Sequence, residues 1–172
     1  FNLRLFHGVT MFLSWGFLLP LGMTIARFGK KWPNAWWFKL HRAIQITGLV
    51  LSTGGFISSI LMVALNKFSA QPHSAIGIIV VVFGWFQFLN AVIRPHKEPD
   101  KPVTRARIIW EYVHKYTGRT AIILGLINPI QGLVYIHASA AVRGLYLAYA
   151  LCWLVFYIVA TAIGLPEGSP VA

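Results

Sequence analysis

Acidic residues and cysteine are nearly absent from this 172-residue chain: Glu98, Asp100, Glu111 and Glu167 are its only carboxylates, and Cys152 is its only thiol. No carboxylate stands deep within an apolar run, which excludes an acid-based membrane proton relay and ordinary carboxylate acid-base catalysis. A single cysteine excludes an intrachain disulfide and a C-x-x-C-H attachment motif, and its place inside an apolar segment reads as packing. Gly-rich phosphate loops, H-E-x-x-H and an assembled Ser-His-Asp order are also missing, so hydrolase chemistry has no material. Charge of either sign is scarce, at 11% of residues.

Apolar residues fill the space, with 57% hydrophobic content and a mean hydropathy of +0.66. They gather into five runs, about 5–27, 40–65, 73–93, 109–136 and 138–164, whose interiors are nearly free of charge. At about 1.5 Å per helical residue, each can cross a hydrocarbon core of roughly 30 Å. A soluble helical core is the alternative, but so short a chain could not clothe five all-round apolar helices in polar surface. The expected fold is therefore an all-α membrane protein of five transmembrane helices, a single domain over 1–172. The joints are the Trp- and Pro-rich stretch 28–39, the short 66–72, the Pro-punctuated 94–107 and a tight turn near His137. Phe1 stands where an initiator Met or a signal-type segment is expected, so the chain reads as a processed or excised part of a longer protein.

The net charge of +11 is distributed by topology. Alternating the helix ends puts Arg27, Lys30, Lys31, Lys39, Arg42, Arg94, Lys97, Lys101, Arg105, Arg107, Lys115 and Arg119 on one side, against Arg4, Lys67 and Arg143 on the other. This is the positive-inside pattern, which places the basic loops and the C-terminus in the cytoplasm and the N-terminus outside. Anionic lipid or an anionic substrate are secondary partners for that charge, while nucleic acid is not expected, because the cations belong to no binding motif.

Histidine carries the chemistry. His7, His41, His73 and His114 each stand near the start of a different apolar run. Burying four such residues in lipid is costly unless something binds them. The alternating topology puts His7 and His73 at the outer depth and His41 and His114 at the inner depth. Two imidazoles at one level from facing helices suit an iron porphyrin ligated on both faces, so helices 1–4 are expected to form a four-helix bundle holding two haems. Paired histidines without a third ligand suit tetrahedral zinc poorly. With no thioether attachment available, any such haem is non-covalent.

Glycine and amide residues repeat with the histidines. His73, Gly77 and Gly84 match His114, Gly118 and Gly125 as H-x3-G-x6-G, and His41, Gly48 and Gly55 form a similar series. At 100° per residue, the first two patterns keep their glycines within about 40° of the histidine, leaving room for a flat ring or for close helix packing. Gln87 and Asn128 each follow their histidine by fourteen residues and are candidates to bond a haem edge, a buried water or a neighbouring helix. Arg119, more than a turn inside its run, needs an anion, for which a haem propionate, Glu111 and the interface compete. His96 and His137 lie in loops without a partner at their depth and read as surface residues. Trp32, Trp36, Trp37 and Trp110 on one side, with Phe1, Phe6 and Tyr135 on the other, read as interfacial anchors.

A family resemblance rests on several of these stretches. His7-Gly8-x2-Met11-x3-Trp15-Gly16-x3-Pro20-x-Gly22, the W-F-K-L-H-R run around His41, His73-Ser74-x2-Gly77 and H-K-Y-x-G-R from His114 to Arg119 together resemble the cytochrome b561 family. With Arg94-Pro95, the pattern looks most like the b561 module of DOMON-linked, ferric-chelate-reductase-like proteins. The resemblance covers roughly residues 5–136. It implies two b-type haems, ligated by His7 with His73 and by His41 with His114, in an ascorbate-dependent or ferric reductase type of transmembrane oxidoreductase. Electrons would then pass from cytoplasmic ascorbate to an outer acceptor such as ferric iron, monodehydroascorbate or an extracellular redox domain preceding Phe1. Lys39 and Arg42, with Arg119, are the nearest matches to the basic residues that bind ascorbate in the family. Well-known members have six transmembrane helices, against five expected here, and they reside in plasma membrane or endomembranes. Two other readings use the same residues: a histidine-based transporter or proton channel, and a structural anchor for a partner.

Overall fold

The computed structural model describes residues 2–66, 71–97 and 101–163. Phe1, Lys67, Glu98, Asp100, Gly164 and Glu167 lie outside that set. Five long helices make up the fold, and no strand occurs among the described residues: α1 (Leu3–Phe28), α2 (Trp36–Asn66), α3 (His73–Val92), α4 (Arg105–Tyr135) and α5 (Ala140–Ala162). Side-chain caps fix three of the starts. Asn2 accepts from the Leu5 amide, Thr104 from that of Arg107 and Ser139 from that of Val142, each satisfying one orphan N–H. The Thr104 cap starts α4 four residues before the apolar run, and α2 likewise begins at Trp36, after a 3-10 turn at Pro33–Ala35. His114 consequently lies more than two turns inside its helix, not at its mouth.

Helix α1 packs along α2, α3 along α4, and α5 closes against α4. Four of the five, α1, α2, α3 and α5, are apolar and long enough to cross a membrane. By length α4 would also reach, with 31 residues, but Arg107, Glu111, Lys115, Arg119, Asn128 and Gln131 dilute its apolarity. Large apolar side chains such as Val50, Leu65 and Leu145 point outward, as lipid-facing positions do.

Trp15 is the centre of the interior. It is 4% exposed, its indole N–H donates to Ser52 Oγ at 2.8 Å, and Leu19, Val80, Ala121, Ile122 and Leu126 surround it. The glycine series acquires its meaning here. A Cβ on Gly125 would come within 2.6 Å of the Trp15 ring and one on Gly84 within 3.2 Å, while Gly48 faces Leu19 and Gly55 faces Thr10 and Met11. These four glycines make room for side chains of neighbouring helices, so the close-packing reading holds for them. Gly77 and Gly118 instead face Asn128 and Gln87.

Helix α1 is irregular in its middle. Residues Phe12–Leu18 wind as a π-helix, and the Leu19 amide reaches back five residues to the Ser14 carbonyl. A π-turn inserts one extra residue into the helical phase.

Candidate functional site

The structure brings the four histidines of the apolar runs into two pairs. His7 and His73 have ring centroids 6.0 Å apart with planes at 85°, and His41 and His114 have centroids 6.4 Å apart with planes at 82°. Each pair joins α1 or α2 to α3 or α4, at opposite ends of the bundle. All four side chains are half-buried.

Each imidazole is oriented by the helix that carries a histidine of the other pair. His7 Nδ1 meets the Gly55 carbonyl at 2.9 Å, His41 Nδ1 the Gly22 carbonyl at 2.9 Å, and His73 Nδ1 the Asn128 carbonyl at 3.1 Å. A carbonyl can only accept, so Nδ1 carries the proton in all three and Nε2 keeps its lone pair. At His114 a side chain takes the carbonyl's place: the Gln87 amide lies 2.7 Å from Nδ1 and also engages the Thr117 hydroxyl. Turned so that its oxygen accepts from the Thr117 hydroxyl and the Gly118 N–H, the amide donates an N–H to His114 Nδ1 and to the His114 carbonyl, so Nδ1 accepts there and the tautomer is the reverse of the other three.

The spacing of these partners is regular. Gly55 follows His41 by fourteen residues, Asn128 follows His114 by fourteen and Gln87 follows His73 by fourteen. Gly22 follows His7 by fifteen, and the π-turn between them absorbs the additional residue, returning Gly22 to the histidine face. Fourteen residues at 100° leave a partner about 40° from the histidine; fifteen would leave it about 60° away on the other side.

Two facing imidazoles could hold a metal ion between their ring nitrogens. Metal–nitrogen bonds of about 2.0–2.1 Å on both sides of one ion, extended to the ring centres, require a centroid separation of about 6 Å. The two pairs meet that requirement. Among the described residues no cluster of three or more His, Cys, Asp and Glu could hold a metal ion, so the donor set at each place is two nitrogens. Trp37 Nε1 and Asn90 Nδ2 are buried donors with no hydrogen-bond partner among the described residues, and Trp37 lies one turn before His41. Buried N–H groups of this kind are ordinarily paired, so they suit an anionic edge such as a propionate.

The surroundings of His114 differ from those of the other three histidines. Trp110 stacks on it with centroids 5.0 Å apart and planes 8° apart, and the indole N–H donates to the Asn90 carbonyl. The guanidiniums of Arg94 and Arg107 lie 5.7 and 4.9 Å from the Trp110 ring centre. Arg107 is buried, held by Glu111 and the Pro95 carbonyl. Desolvation and the nearby Arg107 lower the pKa of Arg94 from its usual value. The sequence marks Trp110 only as an interfacial anchor, and its place four residues before a histidine is the signal that points to more.

Other expected residues are placed less centrally. Arg119 lies over the Tyr116 ring at 5.9 Å, while Glu111, its competitor anion, is engaged by Arg107 and Lys115. Lys39 and Arg42 are exposed at the start of α2, over Trp36 and Phe38. Asn128 holds His73 through its backbone, while its side-chain Oδ1 is buried without a hydrogen-bond partner among the described residues. His96 and His137 are exposed, as their loop positions predict.

Comparison with known proteins gives relatives over most of the chain. A cytochrome b561, DM13 and DOMON domain-containing protein of Arabidopsis thaliana is 34% identical over 91% of this chain and 17% of its own length. A cytochrome b561 and DOMON domain-containing protein of the same plant is 32% identical over 95% of this chain and 42% of its own length. A Xenopus laevis protein named putative ferric-chelate reductase 1 is 30% identical over 74% of this chain and 22% of its own length. The chain thus spans less than half the length of these relatives. No family model matches it, and no solved structure matches it.

Proposed function

This chain is a homologue of the cytochrome b561 and DOMON domain-containing proteins, and on that premise we propose that it passes electrons across a membrane through two b-type haems. Homology supports the coarser statement directly: an integral membrane oxidoreductase of the haem b type, engaged in transmembrane electron transfer. The observation that carries the finer one is the pair of matched histidine couples, 6.0 and 6.4 Å apart, with Nδ1 tied to a carbonyl in three of four rings.

In this reading His7 and His73 would hold a haem at one face, and His41 and His114 would hold a second at the other. A haem bound in each couple supplies one-electron exchange between ferric and ferrous iron. The protein's part is orientation and electrostatics. The Nδ1–H bonds of His7, His41 and His73 fix tautomer and ring plane and would raise the basicity of Nε2 in those three rings. Arg119, Trp37 and Asn90 are donors for propionates, and Gln87 and Asn128 complete the shell around each couple. The excess of cations at the His41/His114 end supports a cytoplasmic position for it, with the N-terminus outside. An anionic reductant, for which ascorbate is our candidate, approaches Lys39 and Arg42 at that end. Ferric iron, monodehydroascorbate or an attached extracellular redox domain takes the electron at the other, in plasma membrane or endomembrane.

The first test is a pyridine haemochrome assay with reduced-minus-oxidised spectra on the purified chain in mild detergent. Two b-type haems per chain are expected. A colourless protein that takes up no added haemin discards the reading and leaves a histidine relay, for which a pH-dependent current is the measurement. The donor assignment is tested separately. Lys39→Ala with Arg42→Ala should raise the KM for ascorbate up to about fivefold per charge at low salt, with haem content unchanged. An unchanged KM removes these two residues from the donor site.

A further inference from the structure

Helix α5 contributes no histidine, yet it reaches the carbonyl network at two places. Pro20 has no N–H, so the Gly16 carbonyl four residues back cannot receive its regular helical bond. Tyr149 Oη donates to that carbonyl at 2.6 Å, and the Trp153 indole N–H donates in turn to Tyr149 Oη at 2.8 Å. On α4, Pro129 lies inside the helix and withholds the bond due to the Gly125 carbonyl, and on the next residue Tyr146 Oη donates to the Leu126 carbonyl at 2.9 Å. The two tyrosines are three residues apart, on one face of α5, and both rings lie against Phe12 of the π-turn, at 6.2 and 5.7 Å.

What these two backbone points lead to differs. Gly16 lies near the end of the π-turn, six residues before Gly22, whose carbonyl holds His41. Leu126 lies two residues before Asn128, whose carbonyl holds His73. The side chains of Tyr149 and Tyr146 therefore brace, one each, the stretches that orient one histidine of either couple.

We propose that α5 is a positioning element for the histidine couples: Tyr149, through Gly16–Gly22, sets the orientation of His41, and Tyr146, through Leu126–Asn128, sets that of His73. The inference deepens the haem reading and rests on it for its first measurement. When a carbonyl is displaced from an Nδ1–H, the ligating imidazole becomes less basic and the ferric state less favoured, so the midpoint potential at that couple rises. A general loss of packing would disturb both couples alike, whereas two separate braces disturb one each.

The experiment uses two single-couple proteins, His73→Ala, which keeps His41/His114, and His41→Ala, which keeps His7/His73. Each is combined with Tyr149→Phe or Tyr146→Phe and titrated redox-optically. Tyr149→Phe is expected to raise the midpoint in the His73→Ala protein and leave the His41→Ala protein unmoved. Tyr146 braces the carbonyl of the ligand that the first protein lacks, so Tyr146→Phe is expected to act only in the second. Pro20→Ala restores an N–H to the Gly16 carbonyl and is expected to return the Tyr149→Phe midpoint toward its original value. Peptide-resolved hydrogen exchange on the haem-free tyrosine variants supplies an independent reading. Loss of one hydrogen bond should speed exchange about fivefold in 16–24 for Tyr149→Phe and in 126–132 for Tyr146→Phe. Shifts of both couples by either variant, or exchange that rises uniformly or not at all, would overturn the proposal. A wild-type chain that binds no haem defeats the ligand assignment, and the exchange data still decide the bracing.

Discussion

Replacing His73 with alanine is expected to leave one b-type haem per chain in place of the two proposed, and to abolish the proposed transmembrane electron transfer. Alanine removes one of the two imidazoles proposed to hold that haem, and His7 would keep no imidazole facing it at 6.0 Å. His41 and His114 keep their own partners, Gly22 and Gln87, so the second haem should retain its difference spectrum. Haem quantitation with reduced-minus-oxidised spectra reads the first effect, and reduction of an external membrane-impermeant acceptor by ascorbate-loaded vesicles reads the second. His114→Ala is the mirror experiment and should remove the other half of the spectrum. Loss of neither haem in His73→Ala would dismiss the pairing of His7 with His73.

The largest effect on stability is expected from Trp15→Ala, at about 3–5 kcal/mol. The ring is nearly inaccessible, lies between Gly84 of α3 and Gly125 of α4, and anchors α1 to α2 through Ser52. Removing it leaves a void touched by four helices and an unpaired hydroxyl, and the glycine faces cannot close inward because they carry nothing to fill the space. Trp15→Phe keeps most of the volume and should cost clearly less. Thermal unfolding of the detergent-solubilised protein measures both; equal melting temperatures for wild type and Trp15→Ala would show that the helices collapse onto one another without the ring.

Much of this arrangement is legible in the residues. The apolar runs locate the helices, and alternation of helix ends places His7 level with His73 and His41 level with His114. Amphipathic side chains announce themselves in a sequence; backbone acceptors do not. The carbonyls of Gly22, Gly55 and Asn128 orient three histidines, but a carbonyl is common to every residue, so nothing in composition marks these three. The fifteen-residue interval from His7 to Gly22 looks out of phase on a straight helix, and a π-turn of Phe12–Leu18 has no distinctive residue signature. Gly84 and Gly125 admit two readings in the sequence, and only the position of the Trp15 ring chooses between them. For α4, hydrophobic patterning marks its apolar part and misses the polar first turns, which Thr104 caps.

Because each helix of a couple carries a histidine for one end and the orienting group for the other, the interval between them works as a ruler of about 21 Å, cut four times into the same chain. An insertion or deletion within any of these intervals would displace a paired histidine at one face and a hydrogen-bond partner at the opposite face in a single event. Length variation among relatives should therefore fall in the connections between helices, and a residue gained inside an interval should come with a compensating π-turn, as in α1.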